Sequence, residues 1–87
     1  MKKAKGYLIK KLEDEYLILP IGERTEEVHE TISLSETAGF IYMHAEEVQT
    51  IEQLAKLVGR EYGLSAQEVY EDVKNVVKVL QEKEVLL

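Results

Sequence analysis

At 87 residues the chain is long enough to bury one small core, but not a deep active-site cavity beside it. It contains no cysteine, which excludes disulfides, thiolate metal sites and thiol nucleophiles. Five of its 11 basic residues (Lys2, Lys3, Lys5, Lys10 and Lys11) lie near the start, and the other six face all 17 acids, so most of the chain has the wrong sign for a duplex-binding surface.

Residues 1–5 read as a solvated basic tail, and 6–87 as a single domain. Gly6 opens the strand-like run Tyr7 to Leu12. The acidic turn Glu13-Asp14-Glu15 leads into a second run, Tyr16 to Ile21, and the short polar connection predicts a hairpin. Pro20 cannot donate to a ladder, which places the end of the second strand at an edge or a bulge. Gly22 to Glu27 reads as a charged loop. A third strand is predicted over about 28–34, with Val28, Ile32 and Leu34 on one face and His29, Thr31 and Ser33 on the other.

At Ser35 the apolar period changes from two residues to between three and four. Ser35 is a good N-cap, because its hydroxyl can accept an unpaired amide of the first turn, and Glu36 suits the positive end of the helix. A first helix is predicted over about 35–47, carrying Ala38, Ile41, Tyr42 and Ala45. The second starts after Thr50, with Gln53 completing a capping box, and buries Ile51, Leu54, Ala55 and Val58. Gly63 suits a left-handed C-terminal cap. Ser65 and Glu68 form the box of the third helix, whose apolar stripe is Ala66, Val69, Val73, Val76, Val77 and Leu80. The stripe stops near Lys83, and Val85-Leu86-Leu87 reads as a sticky end. Val79 falls off the centre of the stripe. The order βββααα predicts an α+β, winged helix-turn-helix-like fold: a three-stranded antiparallel sheet followed by three helices.

Most polar marks have structural explanations. Ser35, Thr50 and Ser65 sit where caps belong rather than where nucleophiles would be activated. His29 and His44 lie on different elements without a third ligand, so no metal site is expected. Glu46-Glu47 and Glu13-Asp14-Glu15 are adjacent acids in polar turns, with nothing to raise a pKa for acid–base chemistry. No apolar run approaches the roughly 18–20 residues that span a bilayer, and the lysine-rich start leads into a strand rather than a secretion signal. A cytoplasmic, non-enzymatic protein without a cofactor is the expectation.

The chain resembles the PqqD-like family, small recognition elements for ribosomally made peptides that are later modified. The marks run from Gly6-Tyr7 through Leu34-Ser35-Glu36-Thr37-Ala38-Gly39-Phe40-Ile41-Tyr42 and Thr50-Ile51-Glu52-Gln53-Leu54 to Glu61-Tyr62-Gly63. Glu68-Val69, Asp72-Val73, Leu80 and Val85-Leu86-Leu87 complete the set. Ser35, Tyr42 and Glu84 stand where family members more often have Asn, Trp and Gly.

The resemblance implies that the leader of a precursor peptide binds as an added strand along the exposed edge of the third strand. The edge would comprise Val28, His29, Glu30, Thr31, Ile32 and Ser33. The groove wall on the third helix would comprise Asp72, Val73, Val76, Val77 and Val79. An open edge presents unpaired amides and carbonyls that a peptide satisfies while its alternate side chains enter pockets. Asp72 and Asn75 share a flank with Val79; the opposite flank, with Tyr70, Lys74 and Val77, would suit an acidic peptide. The partner implied is a separate modifying enzyme, a radical-SAM enzyme first, and any iron–sulfur cluster would belong to it because this chain has no cysteine. No nucleic acid or membrane partner is expected, and the protein should be a monomer or weak dimer. The rival readings are a winged-helix DNA-binding regulator, opposed by Glu68, Glu71, Asp72 and Glu82 on the third helix, and a structural dimer or accessory subunit paired through the same edge.

Overall fold

The structure, a computed structural model, describes residues 1–22 and 31–87. Its elements follow the predicted order: β1 (Tyr7–Leu12), β2 (Glu15–Pro20), β3 (Ile32–Ser35), α1 (Glu36–His44), α2 (Ile51–Tyr62) and α3 (Ala66–Glu82), with a 3₁₀ turn at Ala45–Glu47. Among the described residues the sheet is antiparallel in the order β1-β2-β3, with β2 central and β3 at an edge. The segment Val28 to Glu30, assigned from sequence to the third strand, lies outside the described residues.

The ladder can be phased from one bond. The Ile21 N–H donates to the Gly6 carbonyl at 2.9 Å, one step beyond the Tyr7↔Pro20 pair. Hydrogen-bonded pairs alternate along an antiparallel ladder, so Leu8 and Leu19, Lys10 and Leu17, and Leu12 and Glu15 exchange bonds between β1 and β2. Pro20 therefore occupies a non-bonded position and deprives β1 of nothing, which is how a proline ends a central strand. It also lies beyond the pairing with β3, which runs from Glu15↔Ser35 to Ile18↔Ile32. The two-residue turn between β1 and β2 holds Glu13 at φ 48°, a left-handed conformation.

Capping decides where the helices start. The Ser35 hydroxyl accepts from the Ala38 amide at 3.1 Å. Thr50 with Gln53, and Ser65 with Glu68, form complete capping boxes. Gly63 closes α2 in the left-handed region at φ 71°.

The core lies between the inner sheet face and the helices, built on Ile18, Ile32, Leu34, Ile41, Tyr42, Leu54, Val58, Val73, Val77 and Leu80. Two close approaches hold it together. A Cβ on Gly39 would overlap the Tyr16 ring, so the glycine lets α1 settle onto β2. A Cβ on Gly59 would meet the Leu64 carbonyl oxygen at 2.5 Å, so this glycine lets the α2–α3 connection fold back.

Two expectations are corrected at the ends. Residues 1–5 are not a solvated tail: Lys3 bridges Leu86, the Ala4 N–H donates to Val85 O at 3.0 Å, and the Leu87 N–H donates to Lys2 O at 2.7 Å. Ala4, Val85 and Leu86 are buried, so Val85-Leu86 is core rather than a sticky end. The driving force is the apolar area of Val85 and Leu86, which fills the base of α3 once the chain reverses at Glu84, φ 61°.

Candidate functional site

The phase of the ladder determines what the β3 edge offers. Tyr16 and Ile18 direct their backbone groups toward β3, where Leu34 and Ile32 return them. Ser33, between these two, points its N–H and C=O away from β2. Among the described residues, β3 has a partner strand only on its β2 side. Continued one residue beyond the strand, the same alternation turns the Thr31 backbone outward. The Ser33 side chain is exposed and its hydroxyl donates to Glu15 at 2.8 Å, while Ile32 and Leu34 anchor the strand in the core.

The sheet has a second outer edge, β1, but it is guarded. Lys10 and Lys11 project from β1, and edge lysines discourage the addition of another strand. Lys11 also places its ammonium 5.8 Å from the Tyr16 ring centroid. The described part of β3, Ile-Ser-Leu-Ser, carries no such charge.

Two apolar clefts lie along α3, one between β3, α1 and α3 and the other between α1, α2 and α3. The first, of about 200 Å³, is lined by Leu34, Ala38, Asn75, Val76, Val79 and Leu80. The second, of about 260 Å³, is lined by Thr37, Ile41, Val58, Tyr62, Leu64, Val69, Asp72, Val73 and Val76. Val76 borders both, which makes them neighbouring stations along one face of α3. Val79, Tyr62 and Leu64 stand at their rims 45%, 38% and 47% exposed. Large apolar side chains gathered at the lip of an apolar cleft mark an interaction surface. The Phe40 ring meets Tyr62 edge-on with centroids 6.0 Å apart and lies tilted against His44 with centroids 4.3 Å apart.

Of the wall residues named from sequence, the structure gathers Asp72, Val73, Val76 and Val79 around these clefts, with Asn75 among them. Val77 is not there. It is 3% exposed and borders a separate cleft on the other flank of α3, with Met1, Ile51, Lys74 and Lys78. Of the edge residues, Ile32 and Ser33 lie on β3, Thr31 immediately precedes it, and Val28, His29 and Glu30 lie outside the described residues. Sequence reasoning missed Thr37 and Ala38, which come from the capped first turn of α1, and Tyr62 and Leu64, which flank Gly63. The signal for Ala38 was present: a small residue on an inward helix face leaves room for a ligand.

Among the described residues no group of three His, Asp or Glu side chains is placed to hold a metal. His44 Nδ1 lies 2.6 Å from Glu47 at the surface. The Tyr42 hydroxyl is held above its ordinary pKa by burial first, then by Glu46 and Tyr7, and Lys3 sits 5.0 Å from its ring centroid. That environment locks a core side chain into place. No helix among the described residues is long and apolar enough to cross a membrane.

Comparison with known proteins gives a consistent result. A family model described as coenzyme PQQ synthesis protein D (PqqD) matches residues 15–86. Among solved structures, one described as TbiB1 in complex with the TbiA(beta) leader peptide aligns with a TM-score of 0.74 over 99% of this chain and 94% of that one, at 21% identity. No curated protein matches the sequence.

Proposed function

The chain belongs to the PqqD family, and on that premise we propose that it is a non-catalytic recognition element that captures the leader segment of a ribosomally made precursor peptide by strand addition. The observation that carries this reading is the outward-facing Ser33 backbone, set beside the apolar clefts of α3. A peptide laid antiparallel or parallel to β3 completes the ladder at Thr31 and Ser33, and every second side chain turns toward the clefts. The similar structure was described with a leader peptide, which supports this class of ligand.

Such a protein contributes no bond-making step. It fixes the register of the precursor and raises its effective concentration at a separate modifying enzyme. A radical-SAM enzyme is the first candidate for that role, and any cluster chemistry would be the enzyme's own.

The test is a titration of ¹⁵N-labelled protein with peptides selected on it from a randomised display library. Amide shifts concentrated in Thr31 to Ser35 and Asp72 to Leu80 support the proposal. Shifts confined to β1, or to the flank of α3 bearing Tyr70 and Lys74, would overturn it.

A further inference from the structure

Among the described residues the charge around the groove is one-sided. Of those lining the two clefts, Asp72 alone is charged. It stands exposed at the lip of the second cleft and, among the described residues, has no ion-pair partner. The lysines of this part of α3, Lys74 and Lys78, line the cleft on the opposite flank. A ligand in the groove therefore meets a carboxylate and apolar walls, while the neighbouring ammonium groups face elsewhere.

The spacing of the clefts restricts the ligand further. Along α3 their linings centre on about residues 72 and 77, which at ~1.5 Å per residue separates them by roughly 7 Å. An extended peptide advances about 6.6 Å in two residues, with both side chains on the same face. An extended peptide running along α3 would therefore place residue i in one cleft and residue i+2 in the other.

Resting on the strand-addition reading above, we propose that the ligand class is a basic amphipathic peptide. Two apolar side chains at i and i+2 fill the clefts, and a Lys or Arg beside the second pairs with Asp72. Asp72 is thus a specificity-determining residue, selecting for cationic leaders and against acidic ones. The attraction is amplified relative to an ordinary surface pair because the docked peptide covers the adjacent apolar wall and excludes water from one side of the carboxylate.

Fluorescence anisotropy with labelled synthetic peptides tests this directly. The probes share an alternating Leu-Thr-Leu core and differ only in carrying Lys, Gln or Glu beside it. The wild-type protein should bind the Lys peptide about threefold more tightly than the Gln peptide and roughly tenfold more tightly than the Glu peptide at low salt, with the differences shrinking as salt rises. Asp72→Asn should erase most of the preference, and Asp72→Lys should reverse it. Asp72 is exposed, so neither variant disturbs the core. Equal binding of all three peptides, an order unchanged in Asp72→Lys, or a preference for Glu that follows Lys74 would overturn the inference while leaving the groove in place. Failure of every peptide to bind would overturn the strand-addition reading itself, and this inference with it.

Discussion

The outward backbone of Ser33 makes one substitution especially informative. In Ser33→Pro the amide that would donate to an added strand is gone, and the pyrrolidine ring occupies the place of the incoming carbonyl. The β2–β3 ladder loses nothing, because Ile32 and Leu34 carry its bonds to Ile18 and Tyr16. A single neutral hydrogen bond contributes about 1 kcal/mol net, which is about fivefold in affinity. The ring also displaces the peptide from neighbouring contacts, so we predict a loss of roughly tenfold or more. Two controls separate backbone from side chain and edge from edge. Ser33→Ala removes the hydroxyl bonded to Glu15 but keeps the amide, and should bind like wild type. Lys11→Pro removes an outward amide from β1, the other edge, and should also bind like wild type. The assay is anisotropy with a selected peptide, with circular dichroism to show that each variant is folded. A folded Ser33→Pro protein of unchanged affinity would refute the argument from ladder phase.

Further predictions concern the groove and the frame that positions it. Val79→Glu, at an exposed cleft rim, should leave the urea midpoint nearly unchanged yet weaken peptide binding severalfold. Gly39→Ala should destabilise the domain by about 1–3 kcal/mol in urea denaturation, because the new methyl overlaps the Tyr16 ring. Glu84→Gly should stabilise it by about 0.5–1 kcal/mol, since φ 61° strains any residue with a Cβ; thermal melting should show a rise of a few degrees. Tyr42 gives a pH prediction: its pKa is raised in the folded state, so its contribution is complete below the unfolded value of about 10 and is lost as pH rises through the folded one. Denaturation between neutral and strongly alkaline pH should show that decline, and Tyr42→Phe should flatten it.

Much of the frame was legible because it is written in local chemistry. Ser35, Thr50, Ser65 and Gly63 announce helix ends through hydrogen bonds spanning only three or four residues. The stripe on α3 follows from period alone, and Val79 stood out because it broke that period. The parts that were not legible depend on contacts between distant segments. Nothing local to Lys2, Lys3 and Ala4 shows that they pair with Val85 to Leu87, since that pairing exists only once α3 has carried the chain back across the domain. The flank to which Val77 belongs was left open for a related reason. A helical stripe specifies which residues turn inward, but not which of two flanks faces the sheet edge; that is set by how α1 packs on β2, through the gap left at Gly39. The role of Pro20 likewise required the phase of the ladder, which the sequence suggests only once the hairpin register is known.

Hydrogen–deuterium exchange at single-residue resolution tests the central claim most directly. In the free protein the Ile32 and Leu34 amides, bonded to β2, should be protected, while the outward Thr31 and Ser33 amides exchange rapidly. With a saturating peptide, Thr31 and Ser33 should become protected too, giving a continuous run through β3. If peptide binds at saturation and the Ser33 amide still exchanges as in the free protein, the ligand does not add to this edge.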